Sequence, residues 1–510
     1  MFQYKIIKNL IIFLFVFTII YFTWGHQLIA LIYQGKSISF LNKLLEGRSE
    51  NSLDYYTKKM DGFFFSFMIL FSSFVLAFQG LLRLYQNRSQ SLLALKTEFQ
   101  NLKNQASSCR NYLKPCWVFL TLFLIFYALY LHLGVQLIPW YRKTEFFGSD
   151  YTEAIWGWID SGGKVIHKGS HPLFLLLVIP LANFSKILLP IPYSAIFLNS
   201  LFASIAVLLS SIFFFIYTQK YTQTLLLAIT FGLSMSQLVF GSLPESYSIA
   251  CCSIVLTYIL FLICIKTRNL YLAYWIVAGL LSFGVTITNF AQTLICFGAT
   301  VFGLQRQRKI ICILEYASCV LSFAFLLSLV QKMAFPQSSF FFEPSMFANE
   351  SRFIKNYIWE QPFLVLSEII NNFFLVNFVS PSPFAIPKTP ISTMILSFFN
   401  RPLDYNLIGS LGIVVWLGLF ILGTLKNIQS IKTNFLIIGI LLAVIFNIFL
   451  HSLFGVHEMF LYTCNFTFPV LLLAINQSLL SKAYFKIGFV LLIILMGINN
   501  LIIMNQISSV

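Results

Sequence analysis

Residues 116–138 read CWVFLTLFLIFYALYLHLGVQLI and contain no Asp, Glu, Lys or Arg. A helix needs about 20 consecutive apolar residues to cross the hydrocarbon core of a bilayer, and this stretch is long enough. Similar apolar stretches recur along the chain, separated by short segments that contain many of the Lys and Arg residues. The sequence therefore predicts a polytopic membrane protein built from α-helices.

The composition of the 510 residues argues against a water-soluble protein. Hydrophobic residues make up 58% of the chain and charged residues only 10%, whereas soluble domains contain roughly 25% charged residues. The formal net charge is +16, but the basic residues lie between apolar spans, where they orient the chain and contact anionic lipid. We therefore expect the lipid bilayer, and no nucleic acid, as the partner of this charge.

The nine cysteines are interpreted as packing residues. They have no zinc-type spacing, and their odd number predicts no disulfide framework. Most of them lie inside apolar stretches, where Cys behaves as a small hydrophobic residue: Cys251, Cys252, Cys264, Cys296, Cys312 and Cys319.

The distribution of basic residues orients the predicted spans. The first three spans are predicted at about 6–33, 62–85 and 116–138, and the first is interpreted as an uncleaved helix because it is too long for a signal peptide. The connector between the second and third spans has six basic residues and one acid, which predicts a cytoplasmic location: Arg83, Arg88, Lys96, Lys103, Arg110, Lys114 and Glu98. The segment 139–171 is then external.

Two apolar stretches are predicted to lie along the membrane surface. Lys266 marks a cytoplasmic loop, and counting spans back from it leaves 172–189 unable to cross, so we predict a juxtamembrane helix there. The Pro-rich region 334–404 is placed outside by the same counting. Its apolar part, 363–379, contains Glu368, Asn371 and Asn372 and is interpreted as a second interfacial helix.

Residues 272–304 are predicted to form a broken hairpin. Cytoplasmic charge flanks both ends of this segment, so the chain has to leave and return within about 33 residues. Two short helices with an external turn near Thr288 and Asn289 satisfy this requirement, because neighbouring helices can pair the freed backbone groups.

Beyond the first three spans and the hairpin, spans are predicted at about 193–217, 223–240, 247–265, 310–333, 405–425, 434–453, 461–480 and 487–505. The predicted fold class is therefore an all-α polytopic membrane protein with about 13 transmembrane helices and external juxtamembrane helices. No internal repeat is visible. Four regions are predicted: 1–114, two helices and the basic connector; 115–333, the central transmembrane module; 334–404, an external loop with an interfacial helix; and 405–510, four C-terminal helices.

Polar residues that do not follow the charge rule gather on the predicted external side. Ionisable groups at membrane depth are costly and are candidate functional residues. Each also has a structural interpretation, since Asp150 and Glu245 occupy positions suited to helix starts and the histidines suit interfacial hydrogen bonds. The candidates are Asp150, Glu153, Asp160, His167, His171, Glu245, Thr288, Asn289, His451, His457 and Glu458. Asp150 and Glu153 could also share a divalent cation with a phosphate.

Three motifs in order resemble the GT-C integral membrane glycosyltransferases over roughly 115–305. They are Gly148-Ser149-Asp150, Gly169-Ser170-His171-Pro172-Leu173 and Pro244-Glu245-Ser246-Tyr247. The chain is more narrowly similar to the bacterial branch that includes aminoarabinose-to-lipid-A transferases and protein O-mannosyltransferases. The lone Gly162-Gly163-Lys164 resembles no complete P-loop.

The resemblance implies transfer of a sugar from a polyprenyl-phosphate donor to an acceptor on the external side of a bacterial inner membrane. It implies an outward-facing site with Asp150 as the general base or as an acid that orients the acceptor, and we add Glu153 as its acidic neighbour. The expected substrate-binding residues are His171, Glu245, Asn289, Arg142, Lys168, His457 and Glu458.

The sequence departs from the family pattern in ways that keep two alternatives open. The acids are not adjacent, His171 precedes Pro-Leu instead of Pro-Pro, and the hairpin has Thr288 and Asn289 where family members often have Lys or Arg. The first two spans and the turn around His457 have no assigned counterpart. The alternatives are a lipid or polysaccharide transporter or flippase, and a non-catalytic membrane protein.

Overall fold

The computed structural model describes residues 113–141, 144–149, 171–336, 338–343, 354, 357–388 and 393–509. The predicted spans 6–33 and 62–85 and the basic connector lie outside these residues. So do the candidates Asp150, Glu153, Asp160, His167, Arg142 and Lys168.

The described chain is mostly helical. Its α-helices are α1 (Leu113–Leu137), α2 (Phe174–Leu188), α3 (Tyr193–Thr218), α4 (Tyr221–Gly232), α5 (Met235–Ser242), α6 (Tyr247–Thr267), α7 (Leu272–Val285), α8 (Ile287–Gly303), α9 (Lys309–Ala334), α10 (Tyr357–Glu360), α11 (Pro362–Ile369), α12 (Leu407–Gln429), α13 (Phe435–Leu453), α14 (Thr467–Leu473), α15 (Gln477–Leu480) and α16 (Ala483–Ile507). A π-helical segment, Ile370–Val376, continues α11, and two 3₁₀ helices cover Ile138–Trp140 and Val456–Asn465.

Seven helices of the described part are long and apolar enough to cross a membrane, as expected of an integral membrane protein: α1, α3, α6, α9, α12, α13 and α16. Two bent pairs, α4 with α5 and the Val456–Asn465 helix with α14, raise the number to nine if each pair is one span. The count of 13 stays a prediction, because two of its spans lie outside the described residues and two are the short helices of the hairpin.

The short helices agree with the sequence prediction in position. Helix α2 covers most of 172–189, and its 15 residues extend about 22 Å, less than the roughly 30 Å of a hydrocarbon core. Helices α7 and α8 form the predicted broken hairpin, with the break at Thr286. The break therefore comes slightly before the predicted Thr288 and Asn289, which lie in the first turn of α8.

The segment 461–480, which the sequence predicts as one span, is bent in the structure. The chain bends by 73° between the Val456–Asn465 helix and α14. Pro469 has no N–H to donate to the carbonyl oxygen of Asn465 four residues earlier, and that oxygen accepts instead from Gln292 Nε2 at 3.0 Å. A side chain of the hairpin thus satisfies the carbonyl that Pro469 leaves unpaired.

A three-stranded sheet also departs from the predicted all-α class. Its strands β1 (Thr144–Phe146), β2 (Phe384–Lys388) and β3 (Thr393–Ser397) lie in the order β1-β3-β2, with β1 parallel and β2 antiparallel to β3. The strands are too short to give a clear periodic signal, and β1 pairs with a segment distant in sequence. The sheet joins the first predicted external loop to the region 334–404.

The core combines aromatic side chains with small residues. Phe468 of α14 contacts the rings of Phe213, Phe214, Phe231 and Tyr258 at 5.2–5.7 Å. Helix α3 packs against α1 and α6. Its buried residues include several small ones, which allow neighbouring helices to approach closely: Ala203, Ser204, Ala206, Ser210 and Ser211. Five of the seven described cysteines are buried, which fits their interpretation as packing residues.

Candidate functional site

The chain directly after β1 lies against Glu458 at Gly148. The N–H of Phe147 donates to the carbonyl oxygen of Leu396 at 2.9 Å, which extends the pairing with β3. Gly148 then adopts φ +78°, and a Cβ on this residue would lie 2.7 Å from Glu458 Cγ. Only glycine is readily accommodated here. Asp150 itself lies outside the described residues, but the described chain ends at Ser149, one residue before it.

Aromatic rings form one wall of the space beside this loop. Phe147 stacks on Phe398 with the ring centroids 4.9 Å apart, and it meets Phe460 edge to face at the same distance. The space is a narrow pocket with room for about one water molecule. Its lining residues are Phe147, Glu368, Asn372, Ser397, Phe398, Phe399, His457, Glu458, Met459 and Phe460.

Three ionisable side chains line this pocket, which we call the outer pocket because its residues belong to predicted external segments: Glu368, His457 and Glu458. His457 Nε2 lies 3.4 Å from Glu458 Oε1, and their side chains are 37% and 28% exposed. Glu368 is 2% exposed, and its Oε1 and Oε2 accept from the Asn400 N–H at 2.8 Å and Asn372 Nδ2 at 3.0 Å. Burial raises the pKa of the Glu368 carboxyl, and these two hydrogen bonds oppose the shift. The pocket therefore combines a buried carboxyl with a more accessible acid–imidazole pair.

His171 is tied to the tip of the broken hairpin. Its Nδ1 contacts the carbonyl oxygen of Val285, and because a carbonyl only accepts, Nδ1 is the protonated nitrogen. The N–H of Leu173 donates to the oxygen of Gly284 at 2.9 Å, and Gln331 Nε2 of α9 donates to the oxygen of Pro172 at 2.9 Å. The His-Pro-Leu motif thus fixes α2 against α7 and α9.

Glu245 lies buried at the start of α6. Its Oε2 accepts from the Ser246 N–H at 2.9 Å, and its own N–H donates to Asn199 Oδ1 at 3.4 Å. Asn199 also accepts from Ser248 Oγ at 2.7 Å, so α3 and α6 are locked together beside the carboxylate. Tyr247 then contacts the ring of Tyr462 at 6.0 Å.

A buried polar layer lies between α8, α13 and the Val456–Asn465 helix. Gln292 Nε2 lies 3.3 Å from Asn447 Oδ1 and also donates to the Asn465 backbone. Asn289 on α8 lies about one helical turn from Gln292, and His451 on α13 lies about one turn from Asn447, both toward the predicted external side. His451 stacks on Tyr462 at 4.6 Å, so Tyr462 links this layer to Tyr247 at the start of α6.

Several atoms in this layer have no hydrogen-bond partner among the described residues, although their side chains are at most 2% exposed. They are Asn289 Nδ2 and Oδ1, Gln292 Oε1, Asn465 Oδ1 and His451 Nε2. Unpaired buried polar atoms are costly, which makes the layer a candidate for binding a polar molecule or water. Sequence analysis found Asn289 and His451 but not Gln292, Asn447 or Asn465.

The described candidates other than Thr288, which lies in the first turn of α8, fall into three sets. His457 and Glu458 meet Glu368 in the outer pocket, Asn289 and His451 lie in the buried layer, and His171 and Glu245 have their own partners at helix starts. The sequence marked Glu368 only as an acid in an apolar segment. Among the described residues no group of three or more His, Cys, Asp and Glu side chains is arranged to hold a metal ion. The divalent cation at Asp150 and Glu153 remains a prediction.

No protein-family model matches the chain, and no curated protein or solved structure is significantly similar to it. The likeness to GT-C enzymes is thus based on the three sequence motifs alone.

Proposed function

We propose that this protein is a membrane glycosyltransferase that moves a sugar from a polyprenyl-phosphate donor to an acceptor on the external side of a bacterial inner membrane. One observation carries the proposal: Gly148, two residues before Asp150, lies against Glu458. This contact supports a site in which the Asp150 loop, His457, Glu458 and the buried Glu368 act together.

The proposed reaction needs a base and a phosphate partner. The bond between the anomeric carbon and the donor phosphate oxygen breaks, a bond from that carbon to the acceptor oxygen or nitrogen forms, and the acceptor proton passes to the Asp150 carboxylate. Glu153 and Glu458 raise the local negative charge and favour proton uptake. Arg142 and Lys168 are the proposed cationic partners of the departing polyprenyl phosphate, which leaves with the bonding electron pair.

The test uses the full-length protein in lipid nanodiscs with radiolabelled polyprenyl-phosphate hexoses and pentoses and a cell-envelope lipid extract as acceptor. We expect sugar transfer by the wild type, loss of more than a hundredfold in Asp150→Asn, and a reduction of at least tenfold in Glu458→Gln. Glu360→Gln removes an exposed acid of the same predicted external region and is the matched control, with activity expected to remain within twofold of wild type.

Other outcomes would contradict the proposal. Full activity in Asp150→Asn would exclude Asp150 as the base. Movement of the labelled donor across vesicle membranes with no transferred product would indicate a transporter or flippase. Neither transfer nor movement with any donor would indicate a non-catalytic protein.

A further inference from the structure

The short helices α10 and α11 expose a row of large apolar side chains. Trp359 of α10 is 82% exposed, and Phe363 in the first turn of α11 is 85% exposed. Leu366 and Ile370 follow Phe363 by three and seven residues, which places all three on one side of the helix, and they are 53% and 45% exposed. We call Trp359, Phe363, Leu366 and Ile370 the apolar stripe.

The other side of α11 is buried against the candidate site. Val365, Glu368 and Asn372 are each 2% exposed, and the latter two line the outer pocket. Glu368 is the only charged residue between Glu360 and Lys388 in the sequence, so α11 presents no charge on its exposed side. A helix on the surface of a water-soluble protein has the reverse arrangement, with apolar residues inward and charged residues outward.

The apolar stripe lies beside a helix that is expected to contact lipid. Helices α10 and α11 both pack against α13, which is a membrane-span candidate. The exposed side of α13 is apolar as well and includes Leu442, Ile445 and Phe449. The stripe therefore continues a surface that the bilayer is expected to cover.

The length of α11 suits a helix that lies in the membrane interface. Together with its π-helical continuation it covers Pro362–Val376, which extends about 22 Å and is too short to cross a hydrocarbon core of roughly 30 Å. Trp359 is followed by the exposed polar residues Glu360 and Gln361. Tryptophan is enriched at the headgroup level of membranes, where these two polar side chains can stay hydrated.

We propose that the apolar stripe inserts into the bilayer leaflet on the predicted external side, so that α10 and α11 anchor the outer pocket at headgroup level. Phe363, Leu366 and Ile370 contact acyl chains, and Trp359 lies among the headgroups. A helix with its side chains is about 10–12 Å wide, which sets the distance between this lipid contact and Glu368 on the opposite side. The proposal does not depend on the glycosyltransferase assignment, because it concerns only the surface of these two helices.

The experiment is photo-crosslinking of the full-length protein in its cell membrane, with p-benzoylphenylalanine in place of Phe363. After irradiation, intact-mass spectrometry of the purified protein distinguishes a phospholipid adduct from a protein adduct. We expect a phospholipid adduct at least fivefold more abundant than with the same probe at Ala385. Ala385 is an exposed, uncharged residue of β2 in the predicted external region and is the matched control.

A second probe position tests the stripe without replacing Phe363. With p-benzoylphenylalanine at Leu366 we again expect a phospholipid adduct, and adding Phe363→Glu should lower its abundance at least threefold, because a carboxylate resists insertion into lipid. Adding Ala385→Glu instead should leave the adduct unchanged.

Two other results would overturn the proposal. Adducts at Phe363 and Leu366 that are no more abundant than at Ala385 would show that the stripe faces water. A crosslink to a second copy of the chain or to another protein, in place of lipid, would show that a protein covers the stripe.

Discussion

Gly148 and Glu458 touch so closely that any side chain on residue 148 would displace the carboxylate, since a Cβ there would stand 2.7 Å from Cγ and 3.0 Å from Cδ of Glu458. The backbone of Gly148, at φ +78°, turns the chain at this contact. The loop that contains Asp150 therefore starts from a fixed point beside His457 and Glu458.

Substitution of Gly148 by Ala should damage the site more than the fold. The left-handed backbone costs a non-glycine residue about 1–2 kcal/mol, and the new methyl group must push Glu458 aside. We expect the thermal midpoint to fall by a few degrees and sugar transfer to fall by more than tenfold, measured on the same nanodisc sample. Gly418→Ala is the control, because no atom beyond the local backbone of its own helix lies within 4 Å of its Cβ position. Unchanged transfer in Gly148→Ala would contradict the role of this contact.

Substitution of Gly423 by Ala should destabilise the transmembrane fold itself. A Cβ on Gly423 would lie 1.9 Å from the carbonyl oxygen of Ala474. One turn further along α12, Asn427 Nδ2 donates to the oxygens of Leu473 and Ile475, both at 2.9 Å, so the two backbones are held in contact. We expect a lower thermal midpoint and less folded protein by size-exclusion chromatography.

Gly418 again provides the comparison, since it lies in the same helix as Gly423 and Ala is favoured over Gly inside helices. Gly418→Ala should match or exceed the wild-type midpoint. An equal midpoint for Gly423→Ala would mean that α12 and the end of α14 can separate without cost.

The buried carboxyl of Glu368 should make stability depend on pH. Its pKa is raised above the ordinary value of 4.5 by burial, so the folded protein holds this proton more tightly than the unfolded chain. The stabilisation is complete below pH 4.5 and is lost as pH rises through the raised pKa. We expect Glu368→Gln to gain thermal stability relative to wild type as the pH increases from about 4.5, until the difference levels off.

Thermal midpoints measured from pH 4 to pH 8 test this expectation, with Glu360→Gln as the exposed control from α10. His457 and Glu458, which line the same pocket, are present in both variants and cancel in the comparison. A constant difference between Glu368→Gln and wild type over this range would show that Glu368 does not titrate differently on folding.

Replacing Asn289 in the buried polar layer should preserve the stability of the fold but reduce sugar transfer. Neither side-chain atom of Asn289 has a partner among the described residues, and replacing an unpaired buried amide by an apolar group removes a penalty of about 1–3 kcal/mol. We expect Asn289→Leu to hold or raise the thermal midpoint while transfer activity decreases by at least tenfold.

Asn447 is the matched comparison, because its Nδ2 donates to the oxygen of Ala443 at 2.8 Å and its Oδ1 lies 3.3 Å from Gln292 Nε2. Asn447→Leu should lower the midpoint, since it leaves Gln292 with one partner fewer. Equal destabilisation by both substitutions would indicate that Asn289 is a structural residue in the folded protein.

Local features were predicted well from the sequence. Helices α3, α6, α9 and α13 begin and end within a few residues of their predicted bounds, because an apolar run of about 20 residues satisfies its backbone in lipid only as a helix. The short helix α2 and the hairpin of α7 and α8 were also predicted. Counting spans between basic loops leaves the segment of α2 unable to cross, and basic residues at both ends of the hairpin require the chain to leave and return within about 33 residues.

Features that depend on distant partners were missed or misplaced. The bend before α14 involves Pro469, but its geometry depends on Gln292 taking over the Asn465 carbonyl. The strands β1 and β3 pair across most of the central module, and each is too short to be recognised alone. Glu368 was noticed only as an acid in an apolar segment, and its neighbours Asn400 and His457 come from other parts of the chain.

The sequence alone indicated an integral membrane protein with several apolar helices, and it singled out Asp150, His171, Glu245, Asn289, His457 and Glu458 as unusual for their surroundings. These conclusions follow from local composition, because each apolar segment can pair its backbone groups in lipid by forming a helix on its own. Only the tertiary structure decided that Gly148 lies against Glu458, that Glu368 shares their pocket, and that Asn289 belongs to a layer with Gln292 and Asn447. Inside a bundle, packing and hydrogen bonding between helices decide which polar groups meet. The sequence of a single segment does not specify those partners.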